Sequence, residues 1–321
     1  MDLAMVHKKT KYTVTAVIPV YNSAAYIAET LESVLDQSIP FIEVLVVNGN
    51  SKDNTAQIVQ RFKHVKLIQL DNEPERIVKR NIATKTAKGN IIAFIDSDLV
   101  LSKHWLKEML TGFAKGHIAA VDRRAVYKPR TYIAKLNDHF FDLRFTDKYK
   151  PFTAWAVTKD FLKHMHFLDE SVIGFEDKDL GDAIYATGHD IYFAKHALAY
   201  HKGEPTTAGA ELRRHFWFGS RAFPYWKKHK PFSKPLKVAL FLLLTVLFFV
   251  KPLLFFELFA VLYGYVFLKD LFYWKMHLKY LFVHPFLAVL SEFAYAYGFI
   301  YCLLQGPARY ARISDQEADL R

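Results

Sequence analysis

Two short acidic motifs and one histidine have the residue types and spacing that point to chemistry. The run IIAFIDSD closes an apolar stretch with Asp96-Ser97-Asp98. Two carboxylates two positions apart, just past a buried strand, make a compact hard-oxygen site suited to Mg²⁺ with ligand phosphates and water. An ion there neutralises a diphosphate leaving group and orients it. Taken alone, the motif also serves as a turn or as the cap of a helix near Lys103. The second motif is Glu176-Asp177 in VIGFEDKDL, which follows a Gly-Phe turn and opens a helical run to Thr187. Acids at a helix start answer the helix dipole. An acid after such a turn also suits proton abstraction from a substrate hydroxyl, the task of a general base. His201 closes a strand in Tyr200-His201, where a neutral imidazole completes a metal site. The chain has 14 histidines, so one alone is more often polar surface than a ligand.

The elements that carry these motifs alternate. Thr13–Val20 reads as an apolar strand ending in Pro19-Val20-Tyr21-Asn22, and 24–36 has helical spacing. A second strand at 42–47 leads into the turn Asn48-Gly49-Asn50-Ser51. A helix at 53–62 follows, capped by Ser51 or Asp53. A strand at 65–70, a helix at 75–87 stopping at Gly89, and a strand at 91–95 complete the run; short strands are expected at 191–194 and 197–200. Continuous apolar strands between amphipathic helices predict an α/β fold, a mostly parallel sheet covered by helices. Such sheets bind ligands outside the carboxyl ends of their strands. Asn22, Asn48 and Asp96 should therefore converge on one crevice. Neither a dinucleotide-type GxGxxG nor a GxxxxGK[ST] loop follows the first strand, which disfavours both of those classes.

Composition adds a second part. The 321 residues carry a net charge of +11, with 52% hydrophobic and 16% aromatic residues. That apolar content excludes a disordered chain, and a single cysteine, Cys302, excludes a disulfide scaffold. The segment 236–268 is too long for one span and is broken at Lys251-Pro252, which predicts two short apolar helices. Residues 280–304 contain one acid, Glu292, and predict a membrane span. Ahead of these lie Arg213, Arg214, Arg221, Lys227, Lys228, Lys230, Lys234 and Lys237 with no acid among them, interleaved with aromatics. Basic and aromatic residues together also suit nucleic acid; beside apolar helices they indicate anionic membrane lipids and a cytoplasmic orientation, so no nucleic-acid partner is expected. Residues 269–279 read as a further interfacial stretch. No apolar signal core appears in residues 1–11. The expected organisation is an N-terminal tail (1–12), a catalytic domain (13–210), a basic-aromatic segment (211–237), a helical membrane region (238–305) and a C-terminal tail (306–321).

The ordered series PVYN, VVNGNSKDNT, KRN, IIAFIDSD, GFEDKDL with its Gly-His-Asp turn, and YH resembles the family 2 glycosyltransferases over about residues 13–202. The basic-aromatic segment and apolar helices resemble the tail of membrane-attached members. The resemblance implies the GT-A fold, a nucleotide-sugar donor, a divalent metal (Mn²⁺ or Mg²⁺) and inversion at the anomeric carbon. Pro19, Tyr21 and Asn22 match the loop bordering the base, and Arg80-Asn81 the element near the diphosphate. Asp96 matches the acid at the ribose, and Asp98 the metal-binding acid. Asp177 matches the base of the Glu-Asp pair, with Glu176 second in that role. His201 matches a histidine that completes the metal shell. The turn around Asn48 and Asn50 departs from the family: an acid usually stands at Asn48, which leaves the preferred nucleotide open.

The reading is a glycosyltransferase acting at the cytoplasmic membrane face on a polyprenyl phosphate or lipid-linked saccharide. A non-catalytic subunit of the same fold and a membrane-anchored nucleotidyltransferase are the alternatives. A processive synthase is disfavoured by the lack of a Q-x-x-R-W motif. Sugar, acceptor and oligomeric state are left open.

Overall fold

The computed structural model describes residues 12–144, 153–230 and 233–305. The expected tails, apart from Tyr12, lie outside the described residues. Among those described, residues within 12–127 and 153–203 form one compact unit, and residues within 128–144 and 204–305 a second.

The first unit is a mixed sheet of eight strands flanked by helices, in the order β3-β2-β1-β4-β7-β6-β8-β5. The strands are β1 (Val14–Val20), β2 (Glu43–Gly49), β3 (Lys66–Leu70), β4 (Ile91–Phe94), β5 (Leu99–Leu101), β6 (Ala119–Val126), β7 (Trp155–Thr158) and β8 (Tyr192–His201). β1, β2 and β4 are almost wholly buried, as apolar strands covered on both faces must be. Side chains alternate between two cores. Ala16, Ile18 and Val20 face Ile27 and Leu31 of α1 (Ile27–Leu35) and Trp105 and Met109 of α4 (Trp105–Ala114). Val17, Leu45 and Val47 face Ile77 and Ala83 of α3 (Arg76–Thr86) and Leu180 and Ile184 of α7 (Glu176–Ala186). Two short helices, α2 (Thr55–Gln60) and α6 (Lys159–His164), complete this unit.

β1 pairs in parallel with β2 and β4, and β2 with β3, so the chain order reverses beside β1. That switch point opens the crevice in which such sheets bind ligands. Pro19 lies in β1 beyond the last β1–β4 pair, Val17 with Phe94, so its missing N–H removes no ladder bond. β7 then runs antiparallel between β4 and β6. β8 is parallel to β6 and antiparallel to β5, with Leu99 opposite His201. The two short strands expected at 191–200 are one strand, whose middle residues Lys195 and His196 face solvent.

The second unit is helical: α5 (Tyr132–Arg144), α8 (Ala208–His229), α9 (Ser233–Val250), α10 (Pro252–Leu268), α11 (Leu278–Leu281) and α12 (Val283–Gln305). Leu136 of α5 packs with Met276, Tyr280 and Leu287, and Asn137 Nδ2 donates to Glu211 Oε2 at 3.2 Å. α8 and α12 meet on glycines. A Cβ on Gly219 would stand 2.0 Å from the Tyr295 carbonyl oxygen, and one on Gly298 2.0 Å from that of Phe216.

The break at Lys251-Pro252 separates α9 from α10 as expected, with Pro252 opening α10. The stretch read as interfacial begins differently. A π turn (Lys269–Tyr273) continues α10, because Asp270 is buried against His284 Nδ1 at 2.6 Å instead of meeting solvent. Pro252–Tyr273 (22 residues) and Leu278–Leu304 (27 residues) are thus long and apolar enough to cross a membrane, by length and composition. The basic segment is also less uniform than its sequence. Arg214 pairs with Glu204 and Glu211, Arg221 is buried beside the Trp217 ring, and Lys237 pairs with Glu292, the acid of α12. Arg213, Lys227, Lys228 and Lys230 remain exposed.

Candidate active site

The strand ends bring the acidic motifs to one edge of the sheet. Asp96 and Asp98 follow β4; His201 ends β8, with Nε2 3.6 Å from Asp98 Oδ2. Asp98 is 5% exposed and caps no helix: α4 begins at Trp105 behind His104. Two donor atoms each about 2.1 Å from one ion lie at most about 4.2 Å apart, so one divalent ion can take both. The carboxylate suits Mg²⁺ or Mn²⁺, and the imidazole adds a nitrogen donor. No group of three or more metal-ligating side chains occurs among the described residues, so phosphate and water would supply the remaining ligands. Gly203 packs close to Asp98: a Cβ there would stand 2.3 Å from Asp98 Oδ2.

Asp96 and Glu176 are bridged by two arginines of α3. Arg80 donates from Nη2 to Asp96 Oδ1 at 2.7 Å and from Nη1 to Glu176 Oε1 at 3.0 Å. Arg76 donates from Nη1 to Asp96 Oδ2 at 3.2 Å and from Nε to Glu176 Oε1 at 3.0 Å. The Arg80 guanidinium lies 5.6 Å from the Phe94 ring centre and 5.5 Å from that of Trp155. Burial alone would raise the Glu176 carboxyl, but Arg76 and Arg80 outweigh it and hold the group below its usual range. Its other oxygen, Oε2, is buried and has no partner among the described residues. Asp177 is half-buried and responds oppositely. Burial, then the Glu176 charge, pushes it up to about 6. Two adjacent carboxyls are thereby set apart, one held ionised and one placed near neutral pH.

The loop residues are bound to one another. Tyr21 donates its hydroxyl to Glu73 at 2.9 Å, and Glu73 also meets Lys52 at 2.8 Å. Asn22 has φ 46° and accepts from the Lys52 N–H; Asn50 has φ 57° and donates to the Asp71 carbonyl. Asparagine tolerates this left-handed backbone. Asn48 is 1% exposed. Its Oδ1 accepts the Ser51 N–H and hydroxyl, and its Nδ2 donates to Gln69 Oε1 at 2.8 Å. The Ser51 N–H can only donate, so it fixes which way this amide points. Asn81 pairs with the backbone of Leu168 in both directions and donates to Glu170 Oε1 at 2.9 Å.

A family model described as "Glycosyl transferase family 2" matches residues 15–174. The chain belongs to glycosyl transferase family 2. The poly(ribitol-phosphate) beta-N-acetylglucosaminyltransferase TarS of Staphylococcus aureus is 38% identical over 100 residues, 29% of this chain and 18% of that protein. The minor teichoic acid biosynthesis protein GgaB of Bacillus subtilis is 27% identical over 215 residues, 62% of this chain and 24% of that protein. The chain thus spans less than half the length of these curated relatives. The solved mannosyltransferase PcManGT of Pyrobaculum calidifontis, in complex with GDP-Man and Mn²⁺, has the same fold at a TM-score of 0.57 and 16% identity. That match covers 97% of this chain and 81% of that one.

The sequence reading gave no role to Arg76, Lys79 or Gly203. Arg76 and Arg80 stand four apart on α3 and so share a face, a spacing visible in the sequence. Lys79 is buried, donates to the Val20 carbonyl at 3.2 Å, and is lowered to about 8 by burial. Gly203 shows its importance only once β8 is placed against Asp98.

Proposed function

We propose that the protein transfers a sugar from a nucleotide-sugar donor to a hydroxyl of a lipid-linked saccharide, with inversion, at the cytoplasmic face of a membrane. The observation that carries this reading is the pair of carboxyls with opposite tuning, Glu176 and Asp177, on the same edge as Asp98 and His201. Asp98 and His201 would hold a divalent ion, which would supply Lewis-acid stabilisation of the leaving diphosphate. Arg76 and Arg80 hold Asp96 toward the donor ribose. Glu176 Oε2 accepts a hydroxyl of the bound sugar. Asp177 takes the proton of the acceptor hydroxyl as that oxygen bonds to the anomeric carbon. The bond from that carbon to the diphosphate breaks on the opposite face, and its electron pair leaves with the diphosphate. A single displacement of this kind inverts the centre. A phosphate acceptor would already be anionic and would not need the base, which is why a saccharide hydroxyl is favoured.

The membrane part of the reading is supported by the two long apolar helices and by exposed Arg213, Lys227, Lys228 and Lys230, which suit anionic headgroups. The names of TarS and GgaB refer to cell-envelope polymers, which accords with a lipid-linked acceptor. Mn²⁺ accompanies GDP-Man in PcManGT; for this chain the ion rests on Asp98 and His201. The test is to incubate membranes containing the protein with Mn²⁺ and labelled UDP- and GDP-sugars, adding either lipid-linked saccharides or polyprenyl phosphate. Label should enter the saccharide-lipid fraction. Turnover only with a water-soluble acceptor would overturn the reading.

A further inference from the structure

Lys202 stands between the two residues that crowd Asp98. On one side His201 Nε2 lies 3.6 Å from Asp98 Oδ2; on the other, Gly203 leaves no room for a Cβ against the same oxygen. The backbone here is held from three directions. Leu99 pairs with His201, the Tyr127 N–H donates to the His201 carbonyl at 3.0 Å, and the Lys202 N–H donates to the Asp98 carbonyl at 2.9 Å. The Lys202 side chain then folds back rather than reaching into solvent, and is 13% exposed. Its ammonium meets Glu29 Oε1 at 2.5 Å and lies 5.7 Å from the Tyr26 ring centre and 5.2 Å from that of Tyr127. The Tyr127 hydroxyl donates to the other oxygen of Glu29 at 3.2 Å. A shielded ammonium needs an anion, and the two aromatic faces add cation–π attraction.

We propose that Lys202, with Glu29, Tyr26 and Tyr127, is a positioning clamp that sets the divalent-metal affinity of the Asp98–His201 pair. The clamp ties the end of β8 to the first turn of α1 and to the residue after β6, fixing His201 and Gly203 against Asp98. It touches no substrate and supplies no ligand. Outer groups that orient metal ligands typically carry about 10- to 100-fold in affinity. The inference rests on the metal reading above and deepens it.

The experiment measures Mn²⁺ binding to the full chain in detergent by the paramagnetic resonance of free Mn²⁺, with the metal alone and with UDP or GDP as probes. Lys202→Ala should weaken Mn²⁺ about tenfold or more and raise the Mn²⁺ needed for half-maximal transfer by a similar factor. Lys202→Arg, which keeps the charge opposite Glu29, should weaken Mn²⁺ less than Lys202→Ala does. Glu29→Gln, on the exposed face of α1, should weaken Mn²⁺ in the same direction. A merely structural lysine would lower the melting temperature without moving the metal affinity. Equal Mn²⁺ affinity in Lys202→Ala and the unaltered protein overturns the clamp and leaves the metal reading standing. If Lys202→Ala is not recovered folded, Glu29→Gln decides by the same criterion. No Mn²⁺ binding by the unaltered protein, with or without nucleotide, overturns both.

Discussion

Asp96 and Glu176 accept hydrogen bonds from the same two guanidinium groups, those of Arg76 and Arg80. The end of β4 and the start of α7 are thereby joined through one face of α3. A lysine cannot reproduce a planar fork that reaches two carboxylates while lying against two rings. Arg80→Lys should therefore leave Asp96 and Glu176 imperfectly paired. Transfer should fall by about 10²-fold or more, a loss of the size seen when a single electrostatic donor is removed from a site. Steady-state rates against donor concentration check this.

The two acids of α7 separate by pH. The base acts only when ionised, and Asp177 is raised to about 6 by burial and then by Glu176. Transfer should thus decline as pH falls through about 6. Glu176→Gln removes the second of those causes, so the acid limb should move to lower pH, whatever the loss in rate. Asp177→Asn should remove the limb and cost about 10²- to 10⁴-fold. Rate–pH profiles of the three proteins distinguish the assignments; a limb left in place by Glu176→Gln would contradict the coupling.

Gly203→Ala tests the close approach of the strand end to Asp98. The added methyl would stand 2.3 Å from Asp98 Oδ2, so either the carboxylate or the strand end must move. Mn²⁺ affinity should fall about tenfold or more, while the donor-free protein keeps its secondary structure by circular dichroism.

In the helical unit, Gly219→Ala and Gly298→Ala each drive a methyl into a facing backbone carbonyl. Overpacking of this kind typically costs about 1–3 kcal/mol, and melting in detergent should drop accordingly. Gly264→Ala is the control: nothing lies within 4 Å of that methyl, and alanine favours a helix interior, so its melting should match or slightly exceed that of the unaltered protein.

β1, β2 and β4 were legible because strands buried on both faces are written as unbroken apolar runs; β3, at the sheet edge, is half-buried and carries Lys66 and Gln69. β6 was not legible, because Ala119–Val126 carries Asp122, Arg123 and Arg124 in its middle. Asp122 is fully buried there, accepts from Trp105 Nε1 at 3.0 Å and from the Ala154 N–H, and is pushed by burial up to about 7. No periodicity announces such a residue. β5 and β7 are too short to stand out from their surroundings. The positions of Asp96 and Asp98 past β4, and of Asp177 in the first turn of α7, were legible from local motifs. What the arginines do was not, since pairing Glu176 with Arg76 and Arg80 depends on how α7 is brought to α3. The amides of Asn22, Asn48 and Asn50, read as nucleotide-sugar-binding, hold their loops, a role that depends on how neighbouring loops meet.

The helix α5 gives the chain an unusual anatomy. It leaves between β6 and β7, yet its buried face, with Leu136 and Asn137, is completed by Glu211, Met276, Tyr280 and Leu287. Cutting the chain after Gly203 is therefore not the excision of an anchor. The truncated product would keep a helix whose apolar side has been stripped bare in the middle of its own sequence. A water-soluble version calls for two coordinated edits: removal of the C-terminal helices and replacement of 128–144 by a polar linker.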